Sequence, residues 1–232
     1  ANIADGDGGA IFTLSIRGTL SYLINETMDV GIHNFMDYIR NNFTLQYATE
    51  KISNCVFTNN VAKGTGGGAV YAYGNIDIKS SKFTSNSGGA IYSASDAELT
   101  NCNIKDHEST HSAVTIAGTA NVDHVNFINN VATGYNSGGA LSITGSNSNV
   151  RNSNFERNRA NSGGAVNIEG SGVTVDNCNF IQNTADNHGG AVYVANDNIE
   201  ISNCEMSDNT ANFGGAISIA PYCVDDKINN VT

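Results

Sequence analysis

Apolar residues alternate with polar ones along this chain in runs of a few positions, and the runs come in groups of three. From Val173 to Val194, Val173 and Val175 alternate, then Cys178 and Phe180, and after a polar loop Val192 and Val194. Alternation with period two over so few residues marks a short strand with one face buried. The step of three from Val175 to Cys178 breaks the alternation, so a corner is expected between the first and second strands. Three short strands joined by bends make one coil of a solenoid. Stacked coils, about 4.8 Å apart, let each backbone N–H and C=O bond to the coil above or below and place like residues over like.

The group recurs along the chain. Gly-Gly-Ala followed by Ile, Val or Leu occurs at Gly8 to Ile11, Gly67 to Val70, Gly88 to Ile91, Gly138 to Leu141, Gly163 to Val166, Gly189 to Val192 and Gly214 to Ile217. A degenerate copy, His111-Ser112-Ala113-Val114, fills the one double-length gap, so the alanines from Ala69 onward are spaced 21, 23, 27, 25, 26 and 25 residues apart. Before each Gly-Gly comes Phe-x-x-Asn: Phe57 to Asn60, Phe83 to Asn86, Phe127 to Asn130, Phe155 to Asn158 and Phe180 to Asn183, with variants at Ile104 to His107 and Met206 to Asn209. Two residues ahead of the aromatic slot stand Cys55, Ser81, Cys102, Val125, Ser153, Cys178 and Cys204.

The pattern predicts an all-β fold, a right-handed parallel β-helix of about eight coils with three short strands each, standing roughly 40 Å tall. Residues 1–232 are read as a single domain. The Asn closing each Phe-x-x-Asn is expected to enter the left-handed region at a bend and to stack its carboxamide on those of neighbouring coils. The paired glycines are expected to provide positive φ or close backbone approach at the corner leading to the third strand, and the aromatic column to fill the core. The interval from Ala10 to Ala69 is 59 residues, so it holds an insertion at about residues 17–47. There Met28, Ile32, Phe35, Met36 and Ile39 fall near helical spacing, which predicts an amphipathic helix around residues 27–41 covering the end or flank of the solenoid.

In the alternation of these two motifs over roughly residues 50–220 the chain resembles the chlamydial polymorphic membrane protein repeats. Both motifs recurring in turn is a specific signal. The resemblance implies a β-helical passenger exposed at a cell surface and associated with adhesion. Residues 1–232 hold no C-terminal membrane barrel, so what the resemblance is expected to carry over to them is the passenger-like fold.

Composition narrows the function classes. The chain has 25 Gly, one Pro, no Trp and a formal charge of −11 with only 11 Lys and Arg. No basic cluster neutralises a phosphate backbone, so nucleic acid is excluded as an expected partner. The acidity reads as a solvated surface rather than a calcium site. No window approaches the roughly 20 apolar residues of a membrane span, and the N-terminus lacks a signal-peptide pattern, which suggests a mature product or a fragment. Asn25, Asn42 and Asn230 head glycosylation acceptor triplets usable only in a glycosylating secretory route.

Parallel β-helices also carry polysaccharide-cleaving enzymes, whose sites need clustered carboxylates, or calcium with a basic residue, on one face. Here Asp77, Glu98, Asp123, Asp176 and Glu200 are scattered on or beside the first strand, as outward positions of a solvated strand would be. His33, His107, His111, His124 and His188 lack metal spacing and read as surface or turn residues, with His107 taking the Asn slot. Cys55, Cys102, Cys178 and Cys204 share an inward column and Cys223 lies outside it, which argues against a disulfide framework, although Cys178 and Cys204 are close enough in the stack for a bridge. Nucleophile elbows, phosphate loops and dinucleotide fingerprints are missing. The expectation is therefore a non-enzyme with no catalytic, cofactor or metal residues: an extracellular or cell-surface structural or adhesive segment. Its expected partners are copies of itself or neighbouring domains of the same chain at the coil ends, and a host or cell-surface protein or glycan. The alternative is a polysaccharide-binding or polysaccharide-cleaving, pectate lyase-like β-helix.

Overall fold

A computed structural model describes residues 49–64, 66–135 and 137–232, together with the short strands Ile3–Ala4 and Ile11–Thr13. The expected insertion and its helix lie outside the described residues, as do Asn25, Asn42 and His33. All described regular structure is β, and every strand pairing is parallel. In the coil that begins at Thr174, the strands Thr174–Asp176, Asn179–Ile181 and Val192–Val194 are those the alternation predicts. Each stacks on its counterparts in ladders of eight, seven and eight strands, so the described residues form seven full coils, the closing strand of one before them, Ile11–Thr13, and the opening strand of one after them, Lys227–Asn229.

A fourth, shorter ladder lies on the arch between the second and third strands. Its members are Glu108–Ser109, Val131–Ala132, Arg159–Ser162 and Thr184–His188. Two coils earlier, Val61–Ala62 pairs with Ile3–Ala4 on one side and meets the next coil through a single bridge, Val61 to Ser87. The fourth ladder is interrupted because the arches differ in length: Asn86 stands four residues before Ala90, whereas Asn130 stands ten before Ala140.

The corners follow from local backbone chemistry. Between the first and second strands a single left-handed residue turns the chain, at Asn54, Ser80, Asn101, His124, Asn152, Asn177 and Asn203, all with φ between 51° and 55°. Asn tolerates this region because its short polar side chain bonds locally. The second corner departs from expectation. The left-handed residue there is the one before the motif Asn, at Asn59, Ser85, Asp106, Asn129, Arg157, Gln182 and Asp208, and the motif Asn itself keeps ordinary φ. The motif Asn points inward, which is incompatible with its also being the residue that reverses the chain.

At the corner before the third strand the two glycines divide the work. Gly163 has φ of 63°, while Gly164 is crowded: a Cβ there would meet Gly190 O and lie 2.7 Å from Thr184 N and C. The first glycine supplies the turn and the second lets the arch pass against the next coil.

The core is a set of stacked columns. Phe127, Phe155 and Phe180 are fully buried, with ring centroids 4.8 Å and 4.7 Å apart and planes within 5° of parallel. Phe57 and Phe83 form a second stack at 4.8 Å, and Ile104 separates the two. Replacing Phe155 by Ala removes a ring from the middle of its stack, and is expected to cost about 4 kcal/mol of stability, read from the urea midpoint. A loss under about 1 kcal/mol would mean that the column does not carry the fold.

Candidate functional site

The buried motif residues form a continuous carboxamide ladder. Asn130 donates from Nδ2 to Asn158 Oδ1 at 2.9 Å, Asn158 to Asn183 at 3.0 Å and Asn183 to Asn209 at 3.0 Å. The other Nδ2 hydrogen goes to the carbonyl of the aromatic slot one coil back, as from Asn158 to Phe127 O at 3.0 Å. Each Oδ1 also accepts the backbone N–H of the preceding ladder residue, as Asn158 Oδ1 does from Asn130 at 3.0 Å. Every polar atom of these buried amides is thereby used. Asn60 joins Asn86 in the same way at 2.9 Å.

The column ahead of the aromatics also has a shared role that its residue types conceal. Ser81 and Ser153 donate to the carbonyl two residues back at 2.9 Å and 2.7 Å, and Cys55, Cys178 and Cys204 do the same with Sγ at 3.2 Å, 3.3 Å and 3.1 Å. Ser and Cys are thus alternative fillers of one corner. All five thiols are free, and burial raises the Cys102 thiol above its ordinary value.

The acids of the first-strand face separate into two outward columns. Asp77 and Glu98 are register neighbours, followed by Asn121, Asn149, Thr174 and Glu200. The second column runs Lys79, Thr100, Asp123, Arg151, Asp176 and Ser202. Bases stand among the acids: Lys79 Nζ lies 3.1 Å from Asp77 and 3.5 Å from Glu98, and Arg151 lies 3.2 Å from Asp123. Burial raises the Asp123 pKa, but hydrogen bonds from Asn152, Arg151 and His124 together outweigh it and hold the carboxyl below its ordinary value. Bonds from Asn203 and Ser202 lower Asp176 in the same sense. Both are therefore carboxylates at neutral pH, poorly suited to donate a proton. A shallow groove of about 220 Å³ crosses this face, lined by Lys79, Glu98, Asn121, Asp123, Asn149 and Arg151. Among the described residues no three His, Cys, Asp or Glu side chains group as a metal site.

The histidines scatter. His124 turns the first corner and bonds Asp123 Oδ1 at 2.8 Å; His111 lies on an arch 3.0 Å from Thr110 Oγ1; His188 is partly buried and stacks on Phe213 at 5.1 Å. His107 is not the surface or turn residue expected: it is 1% exposed, because it occupies an inward ladder position. Asn230 is exposed, but its Nδ2 donates to Asn203 Oδ1 at 2.9 Å, so glycan attachment would have to give up that bond.

The largest departure from a closed core is at the C-terminal end. Phe213, Ile219, Tyr222, Val224 and Ile228 are 60%, 39%, 77%, 56% and 46% exposed. The edges of Ile217–Ile219 and Lys227–Asn229 have no strand beyond them among the described residues. No helix among those residues is long and apolar enough to cross a membrane.

Parallel coils, single-residue corners and stacked inward columns define the class, a right-handed parallel β-helix. The chain belongs to the right-handed β-helix family, whose model matches residues 91–232, well over half of its length. Residues 54–73 match the Chlamydia polymorphic membrane protein repeat, the stretch from the Cys55 column through Phe57, Asn60 and Gly67-Gly68-Ala69-Val70. No curated protein and no solved structure matches the chain.

Proposed function

We propose that the chain is a non-catalytic structural or adhesive segment of an extracellular or cell-surface protein. It offers its side faces to a host or cell-surface protein or glycan, and joins its C-terminal end to a second copy or a neighbouring domain. The observation that carries this reading is the apolar end formed by Phe213, Ile219, Tyr222, Val224 and Ile228, on a solenoid whose other apolar residues are largely inward. Unpaired strand edges beside exposed apolar side chains are a template for a further strand. The polymorphic membrane protein repeat supports display at a surface.

A polysaccharide-binding or polysaccharide-cleaving β-helix is the second reading, supported by the groove of about 220 Å³ on the first-strand face. Two sets of variants separate the readings in cell-surface binding, self-association and glycan-turnover assays. On the structural reading, Asp176→Asn with Glu200→Gln leaves binding and assembly unchanged, whereas Ile219→Lys with Ile228→Lys abolishes assembly. Release of reducing ends from a glycan that disappears in the acid variants would establish the enzyme instead.

A further inference from the structure

One coil, residues 102–117, departs from the regular columns at three places. Ile104 replaces the aromatic, His107 replaces the ladder Asn, and His111-Ser112 stand where Gly-Gly stands elsewhere. The fourth ladder has its edge here, at Glu108–Ser109, which pairs only with Val131–Ala132. In the other coils the residue after the ladder position donates its N–H to the ladder carbonyl one coil back: Ser87 to Asn60 at 2.8 Å, Val131 to His107 at 2.7 Å, Arg159 to Asn130 at 2.8 Å and Thr184 to Asn158 at 2.9 Å. Glu108 makes no such bond to Asn86. The imidazole stands there instead, with His107 Nδ1 3.0 Å from Asn86 N and 3.0 Å from Asn86 O.

We propose that this coil is an acid-operated hinge: proton uptake by His107 opens the seam between the Asn86 and His107 coils while the coils on either side stay stacked. In the closed form Nδ1 accepts the Asn86 N–H, so the ring hydrogen sits on Nε2, which is buried and makes no hydrogen bond. A protonated ring carries a hydrogen on both nitrogens. Nδ1–H then opposes the Asn86 N–H, donor against donor, and is satisfied only by turning to Asn86 O. That leaves the Asn86 N–H without its acceptor beside a buried charge, and opening the seam admits water to both.

The charges around the ring do not compensate. Asp106 and Glu108 flank it on its own coil with exposed side chains, and Asp106 is shared with Lys105 at 3.6 Å and with Asn129 Nδ2 at 3.2 Å. The coils above and below present Asn86 and Asn130 to it, both uncharged. Burial holds the imidazole below its ordinary value of 6.5, outweighing the pull of the Asn86 and Phe83 backbone and the attraction of Asp106.

The sign follows from linkage. Above pH 6.5 neither form is protonated and opening is independent of pH. Below it the open seam takes a proton more readily than the closed one, so the opening constant rises as the pH falls, by up to about tenfold per pH unit and up to about thirtyfold between about pH 7.5 and about pH 5.

Amide hydrogen exchange on the full chain at those two pH values, corrected for intrinsic rates, tests the hinge. The expected result is a loss of protection at acid pH, up to about thirtyfold, at Ser85, Asn86 and Asn103, whose N–H groups bond across the seam to Lys105 O, His107 Nδ1 and Ser81 O, with Ser87, Arg159 and Thr184 unchanged. His107→Asn restores the ladder and should abolish the response; His111→Asn should leave it intact. A uniform change across all coils, or an acid response that survives His107→Asn, overturns the proposal. Should His107→Asn fold poorly, the ring titration of the unaltered chain decides by NMR: a His107 signal that titrates at an ordinary value in the closed form overturns it equally.

Discussion

Asn158→Ala is expected to lower stability by about 4 kcal/mol, among the largest effects of any single change to a polar residue of this chain. Asn158 Oδ1 accepts from Asn130 N at 3.0 Å and Asn130 Nδ2 at 2.9 Å, and its Nδ2 donates to Phe127 O and Asn183 Oδ1 at 3.0 Å each. Truncation strands partners in the coils on both sides at once, in a column where Asn130 and Asn183 are fully buried and water does not reach them. Losing a hydrogen bond costs little when water can replace the partner, and much when a buried group is left alone. The matched control is Asn177→Ala. Asn177 Nδ2 also bonds a carboxamide one coil away, Asn152 Oδ1 at 2.7 Å, but at an exposed corner, so a loss below about 1 kcal/mol is expected. Urea unfolding of both variants checks the contrast, and equal effects would contradict the ladder as a source of stability.

Gly164→Ala is expected to be at least as damaging, with no soluble folded product or a loss of about 4 kcal/mol or more. The added methyl would fall on Gly190 O and on the Thr184 backbone. Those atoms belong to the next coil, whose own bonds hold it: Gly164 N donates to Gly189 O at 3.0 Å and Thr184 N to Asn158 O at 2.9 Å. No flexible side chain can yield, so the two coils would have to separate locally. Thermal unfolding followed by circular dichroism, beside Ser171→Ala on a partly exposed bend, measures the effect. A Gly164→Ala chain that melts with the parent would mean that the Gly-Gly-Ala motif is retained for a reason other than coil spacing.

These two residues also mark how far the sequence is legible. The columns could be read directly, because inward positions repeat by residue type in every coil, as Phe127, Phe155 and Phe180 do. Which residue at the second corner turns left-handed could not. Asn59 and Asn60 are the same amino acid with opposite duties, and only the inward direction of Asn60 separates them. The fourth ladder was hidden for another reason: strands as short as Val131–Ala132 have no alternation to detect, and arches of unequal length leave no fixed register to count.

The candidate surfaces were legible in part. The coil ends stood out as the places where the repeat stops, but which apolar side chains are exposed there, Phe213 and Tyr222 among them, did not. The placing of Lys79 and Arg151 among the acids did not, since register partners in neighbouring coils lie at variable spacing, 21 residues for Asp77 and Glu98 but 28 for Asp123 and Arg151. His107 was judged by its chemical type rather than its column, and the column decides that it is buried.

The central claim is that this β-helix acts through its ends and faces as a structural unit. Electron microscopy of the purified chain, with mass photometry at several concentrations, tests it most directly. The account predicts end-to-end oligomers or filaments that lengthen with concentration and vanish in Ile219→Lys with Ile228→Lys. A monomer that stays monomeric at every concentration, with the same profile in that variant, would contradict it.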